Sequence, residues 1–539
     1  MQSPIKPIER PRVAVIGLGI AGLAALKNLR EIGFDAVGFE QDDHVGGLWA
    51  WNARPDRTSV LRVTKSNSTK QFSCYTDFPF PKETPIYPSS EDVASYLQSY
   101  AEHFDILKHA HLGRSIERIS LASSGRWAVT HRPAHPDPIS DPDSKSNGDT
   151  PFGSNSDNAN RTNSQTDEFD RVLVATGPFC KPQIPNVPGR DVFQGTVIHS
   201  QSYKLPEEFA GKRVVVVGIG NTACDVAVDL CGSAKQVYLS HRSGVRLVQR
   251  WVRGRPADHL ITRRRTALAT RLNNLFPALA AFLISHLVVW MMKRRHNLDP
   301  SWGLTPVPKS IQSGGTLNDH IIDRLTDGSV ISLPGIRKFT PTGILTDRGE
   351  LEVDAVIFAT GSVFDYSIFS EDSDPTKPVR AEWEAHPNAD KLPFPWLYQA
   401  HFHVEHPDTL AFIGPCRGFS AAATSNADLS SQAIAQRWCE DNYRLNYKLL
   451  RDGRLPKTAV DIVRYERWLN DAAGSGINEH LGWGWTGWRW WWNNRRLCKL
   501  LQDGVCTPHA YRLFDGRPGA RPKWEGAEAA IYEANGLAR

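Results

Sequence analysis

Two glycine clusters in this chain carry the spacing that dinucleotide chemistry requires. Gly17-Leu18-Gly19-Ile20-Ala21-Gly22 follows an apolar run and opens an amphipathic stretch. Glycines so spaced let the backbone turn tightly and approach a pyrophosphate, whose charge is stabilised by the free N–H groups of a helix N-terminus. The next apolar run ends in Glu40, where a carboxylate can accept hydrogen bonds from an adenosine ribose. Gly218-Ile-Gly220-Asn221-Thr222-Ala223 repeats the plan about 200 residues later. Its following strand ends Tyr238-Leu-Ser240-His241-Arg242-Ser243, with no carboxylate. A guanidinium and hydroxyls in that place suit a 2′-phosphate. One site for a ribose diol and another for a phosphorylated ribose imply FAD together with NADPH. Hydride would pass from nicotinamide to flavin, and the protein's task is placement and exclusion of water. No acid–base pair, nucleophilic triad or metal is required.

Such turns need strand–turn–helix–strand units, and the sequence supplies them at 12–40 and 213–242. Each is answered downstream by an apolar strand running into Ala-Thr-Gly, at 172–177 and at 356–361. The expected fold is α/β, with two Rossmann-like doubly wound dinucleotide-binding domains, the NADPH domain inserted into a discontinuous FAD domain. The borders read as 1–200 for the first part of the FAD domain, 205–352 for the NADPH domain, and 353–539 for the second FAD part and C-terminal region. Residues 132–168, rich in Ser, Asn, Asp, Pro and Gly, read as a flexible insertion. Residues 250–335 read as a helical insertion containing the most apolar stretch, 275–292, with basic residues on both sides. That stretch fits a helix lying in a membrane surface or a buried helix of a substrate-access cap, which periodicity alone does not separate. Six of the 17 tryptophans crowd into 483–492, beside Arg489, Arg495 and Arg496, with interfacial anchoring or packing against the body as the two readings.

With 539 residues, 40% hydrophobic and 22% charged, the chain can bury a core in more than one domain. Lys+Arg 63 against Asp+Glu 58 leaves a net charge of +5, too balanced to point to nucleic acid. The eight cysteines are scattered, none forms CxxC, and the N-terminus lacks the apolar core of a signal peptide. These features place the protein in the reducing cytoplasm.

Further motifs resemble the flavin-containing monooxygenases in content and order. Phe193-Gln-Gly195-Thr-Val-Ile-His199-Ser-Gln-Ser-Tyr203 is similar to that family's FxGxxxHxxxY/F signature, and Gly46-Gly47-Leu48-Trp49 to its GGLW flavin contact. The segment from Asn67 to Pro81 resembles the one carrying the active-site asparagine, and Cys506 to Arg512 with Lys523 to Gly526 the closing motif. The resemblance implies that NADPH reduces FAD, that oxygen adds at flavin C4a, and that the hydroperoxide, shielded by NADP⁺, oxygenates a soft nitrogen or sulfur of a small lipophilic molecule. It implies that Asn67 lies beside flavin and nicotinamide, that Ser66 to Ser68 touch both cofactors, and that Thr222, Ala223, Cys224 and Asp225 line the NADP pyrophosphate. His199 and Tyr203 would hold the interdomain link near the nicotinamide. It also implies contact with the cytosolic face of the endoplasmic reticulum, through 275–292 or the tryptophan cluster, because the apolar C-terminal anchor of vertebrate members is missing. The nearest alternative is a Baeyer–Villiger monooxygenase acting on a ketone. Its linker signature ends in Trp followed by Pro or Asp, whereas this one ends Tyr203-Lys204. A flavin-dependent reductase is disfavoured by the lack of CxxC, and a non-catalytic membrane-associated flavoprotein by two intact fingerprints.

Overall fold

Residues 13–16 and 214–217 are unbroken apolar runs, the pattern of strands covered on both faces, and strands Arg12–Ile16 and Arg213–Val217 each lie inside their own sheet with parallel neighbours on both sides. The computed structural model describes residues 11–134, 164–295, 298–307, 315–385, 394–414, 427–431, 434, 462–514 and 522–538. The first sheet runs Leu397–Tyr398, Phe402–His403, Leu410–Phe412, Arg171–Val174, Arg12–Ile16, Asp35–Phe39, Ala110–His111. It is parallel from Leu410–Phe412 to the Ala110–His111 edge, and antiparallel at the other. The second sheet is parallel throughout, in the order Val330–Leu333, Gln236–Ser240, Arg213–Val217, Ala355–Phe358, Thr196–His199. Helix Ile20–Glu31 packs Leu23, Leu26 and Leu29 on the first sheet, and Asn221–Leu230 packs Val226, Ala227 and Leu230 on the second.

Three features differ from the sequence reading. Thr196–His199 and Ala355–Phe358 hydrogen-bond within the second sheet, so that unit begins before 205 and runs past 352. Linker motif and Ala-Thr-Gly strand were assigned to the first unit because nothing local marks a strand's partner. The insertion at 132–168 is also narrower, because its ends are strand: Trp127–Pro133 pairs antiparallel with Gln165–Phe169, burying Trp127, Val129 and Phe169. Those aromatic and β-branched residues outweigh the polar composition between them; residues 135–163 lie outside the described residues. Finally, 263–295 forms two helices, Arg263–Leu275 and Pro277–Arg295, with the break at the proline. No helix among the described residues is long and apolar enough to cross a membrane.

Candidate active site and cofactor grooves

Each fingerprint glycine has a separate physical reason. Gly17 adopts φ +89°, and a Cβ there would stand 2.8 Å from the Ala175 carbonyl oxygen; at Gly22 it would stand 1.7 Å from that of Gly17. A side chain at Gly47, φ +52°, would stand 3.0 Å from the Cα of Gly19, so the two glycine turns lie against each other. Glu40 is buried, and its carboxylate accepts from the N–H of Leu18 at 2.8 Å and of Asp42 at 3.1 Å. Burial raises its pKa against the pull of those hydrogen bonds. The acid therefore also braces the first turn.

In the second fingerprint Gly218 takes φ +132°, with its Cβ position 2.5 Å from the Ala359 oxygen, whereas at Gly220 a Cβ meets open space. The N-terminus of Asn221–Leu230 is roofed by Thr316–Leu317, which pairs with Leu247–Val248. Asn221 Oδ1 accepts from the Leu317 N–H at 2.8 Å, and Asn318 Nδ2 donates to Asp225 at 2.8 Å. Burial pushes the Asp225 carboxyl up to about 6, opposed by the Asn318 amide and by Arg250. Arg242 is exposed, while the Ser240 hydroxyl is spent on the Pro334 carbonyl at 2.8 Å. Of the groups read as suiting a phosphate, then, Ser240, Arg242 and Ser243 all line the cavity, but the Ser240 hydroxyl already donates its proton to a backbone carbonyl.

Both units open on one cavity of about 1070 Å³. From the first unit Ile20, Leu48, Trp49, Ser66, Asn67 and Ser68 line it. From the second come His199, Gly218, Gly220, Asn221, Thr222, Asp225 and Arg242. Gly17, Leu18, Gly19, Ala21, Gly22, Glu40 and Gly47 are not part of this wall, and Ala223 and Cys224 are buried in the second core behind it. His199 accepts from the Gln201 N–H at Nδ1, so Nε2 carries the proton and donates to the Gly361 carbonyl at 3.1 Å. Burial holds its pKa below the ordinary value and keeps the ring neutral. Tyr203 is a different case: it is buried in the second core, stacked with Phe209, and donates to Asp229 at 2.7 Å without reaching the cavity. The sequence reading grouped the two as a link near the nicotinamide; Tyr203 instead anchors helix Asn221–Leu230.

Sequence reasoning missed Arg250, Asn318 and Arg337. Arg337 lines the cavity near Arg242 and pairs with Asp347 at 2.8 Å. Arg250 is buried, donates to Ser66 O, Lys65 O and Asn67 Oδ1, and pairs with Asp319 at 2.9 Å. A lone cation in the run Leu247-Val248-Gln249-Arg250-Trp251-Val252 was the available signal, because buried charges are almost always paired.

The model of the family described as "Flavin-binding monooxygenase-like" matches residues 10–136 and 140–379, across both fingerprints and the linker motif. The chain belongs to this family. Among relatives of this flavin-binding monooxygenase, monooxygenase aurF of Gibberella zeae is 36% identical over 547 residues, covering 98% of each chain. Human dimethylaniline monooxygenase (N-oxide-forming) 4 is 29% identical over 552 residues, covering 96% of this chain and 87% of its own. Two solved structures share the fold at low identity. S-allyl-L-cysteine S-oxygenase from Allium sativum has a TM-score of 0.56 at 17% identity, over 86% of this chain and 88% of its own. A cyclohexanone monooxygenase mutant from Rhodococcus sp. Phi1 has a TM-score of 0.59 at 16% identity, over 88% and 98%. The flavin-binding monooxygenase uses FAD and NADPH, and its glycine turns are built for two dinucleotides: Gly220 leaves its cradle open where a Cβ would project.

Proposed function

We propose that the enzyme oxygenates a soft nitrogen or sulfur centre of a small lipophilic molecule with O₂ and NADPH, the first unit holding FAD and the second NADPH. The observation that carries the reading is that Asn67 from the first unit and Gly220 and Arg242 from the second open on a single cavity. FAD, once reduced, supplies the activation of oxygen. The residues of the chain bind and orient. Gly218 and Gly220 seat the pyrophosphate at the helix N-terminus, and Arg242 takes the 2′-phosphate. Neutral His199 fixes the Gly361 turn, and Asn67 presents its amide where flavin and nicotinamide meet. Phe80, Tyr96 and Leu97 supply an apolar wall that suits a lipophilic substrate and keeps water out. Turnover under ¹⁸O₂ with an amine, a sulfide and a ketone tests the reading. One labelled oxygen in the N- or S-oxide is expected; labelled ester from the ketone alone would make the enzyme a Baeyer–Villiger catalyst.

A peripheral membrane contact belongs to the same proposal, with the cytosolic face of the endoplasmic reticulum as its place. Helix Pro277–Arg295 exposes Leu279, Phe282, Leu283, Leu287 and Trp290, and near the C-terminus Trp483 and Trp485 are 83% and 81% exposed. Helices next to these two regions, Arg263–Leu275 and Arg495–Asp503, are joined by an ion pair of Arg264 with Asp503 at 2.9 Å. Apolar surface bordered by cations and indoles suits an anionic interface. Leu283→Glu with Leu287→Glu is expected to abolish pelleting with anionic liposomes; unchanged pelleting removes the contact.

A further inference from the structure

The loop that carries Asn67 is held from the other unit. Arg250, 6% exposed, sends its guanidinium into three successive residues: Nε donates to Ser66 O at 3.0 Å, and Nη2 to Lys65 O and to Asn67 Oδ1, each at 3.1 Å. Its remaining nitrogen, Nη1, donates to Asp319 at 2.9 Å, and its own N–H reaches the other oxygen of that carboxylate at 3.2 Å. The adjoining segment fastens the loop's far end, where the Thr69 N–H donates to Asp258 at 2.6 Å. Tyr87, also from the first unit, donates to the Arg250 carbonyl.

A guanidinium has five donors and no acceptor. The atom of Asn67 that meets it can only be the amide oxygen, which leaves the NH₂ as the end free to donate. Among the described residues that NH₂ makes no hydrogen bond, and Asn67 lines the cavity. We propose that Arg250 is the positioning residue for Asn67. It turns the amide so that its NH₂ donates into the cavity, and it gives the loop this geometry only while the 247–262 segment of the NADPH unit is docked on the FAD unit. The proposal rests on the reading of Asn67 given above. A lysine offers a point charge in place of a planar fork and cannot hold three acceptors from consecutive residues in one plane.

In the coupled reaction NADPH, a proton and O₂ give NADP⁺, one oxygen atom in the product and one in water. When coupling fails, the same two electrons leave as H₂O₂. The experiment measures H₂O₂ released per NADPH oxidised in the holoenzyme for Asn67→Ala, Arg250→Lys and the double variant. Hydrogen exchange of peptides covering 64–73 is measured in the FAD-free protein. Each single substitution is expected to raise the peroxide fraction several-fold, with the double no worse than Asn67→Ala alone, the non-additivity of residues acting as one unit. Exchange at 64–73 is expected to quicken about tenfold or more in Arg250→Lys, through the loss of charge-assisted hydrogen bonds. Additive leaks, or Arg250→Lys with unchanged coupling, overturn the proposal while leaving the reading of Asn67 intact. Unchanged coupling in Asn67→Ala overturns that reading and the proposal with it. Should Arg250→Lys not fold, Asp319→Asn, which loosens the same guanidinium from its outer side, is held to the same non-additivity with Asn67→Ala.

Discussion

Gly218 and Gly220 sit two residues apart in one motif, yet alanine at each is expected to fail differently. At Gly218 the backbone is at φ +132°, and the new Cβ would lie 2.5 Å from the Ala359 oxygen, an atom of the strand-end turn that cannot swing away. The left-sided backbone costs about 1–2 kcal/mol and the overpacking about 1–3 more. Gly218→Ala should therefore lose about 2–5 kcal/mol of stability, read as a fall in Tm and a lower denaturant midpoint. At Gly220 the backbone is extended, and the Cβ enters open space. The fold should lose less than about 1 kcal/mol, from a poorer N-cap.

 That conformation, φ −79° and ψ −179°, is one that any residue adopts. What the methyl group takes instead is the space through which a pyrophosphate reaches the helix N-terminus. Pushing the phosphate outward forfeits one or two charge-assisted hydrogen bonds, so NADP⁺ affinity should fall about 10–100-fold. Calorimetric titration of the FAD-loaded protein with NADP⁺, beside its melting curve, separates the two effects. A Gly220→Ala variant that binds NADP⁺ as tightly as the parent would refute the assignment of this turn to the pyrophosphate.

Other expectations follow from the same wall of the cavity. Arg242→Ala should weaken NADPH binding about 10–100-fold and leave NADH within a few-fold; equal losses would mean that Arg242 does not read the 2′-phosphate. Asp225, raised by burial to about 6 from 3.8, contributes stability that is full below pH 3.8 and lost as pH rises through about 6, because the native state then holds a buried carboxylate. Asp229 and Asp319 add to the rise, and Asn318 and Arg250 oppose it. Asp225→Asn should therefore melt at higher temperature than the parent at pH 7.5, by the equivalent of about 3 kcal/mol at most, and equally at pH 3.5. NADP⁺ affinity should fall above pH 6 in the parent and stay flat in Asp225→Asn; parallel pH profiles would clear this carboxyl of any role.

The glycine turns and the place of Glu40 were legible in the sequence because each answers a local demand: a positive φ, a close approach, the residue that follows a strand. The sheets were legible for the same reason, since a parallel strand buried on both faces writes an unbroken apolar run. Strand partners were not. Thr196–His199 pairs with Ala355–Phe358, and a run of four residues contains no record of which edge it will join. Tyr203 and His199 differ likewise: both belong to one motif, yet one side chain ends in the second core on Asp229 and the other on the Gly361 turn. Arg250 lies further from local reasoning, 183 residues from the asparagine it holds. Its demand was nonetheless written in the chain. A guanidinium that enters a core must find several acceptors at once, and helices and sheets have already spent theirs on the backbone ladder. Only a loop with unpaired carbonyls can satisfy it, and 65–67 supplies three oxygens in consecutive residues. The loop is irregular so that Asn67 can face the cavity, and that irregularity leaves the carbonyls that a charge from the other unit can bind. Site and clamp therefore arise from the same departure from regular structure.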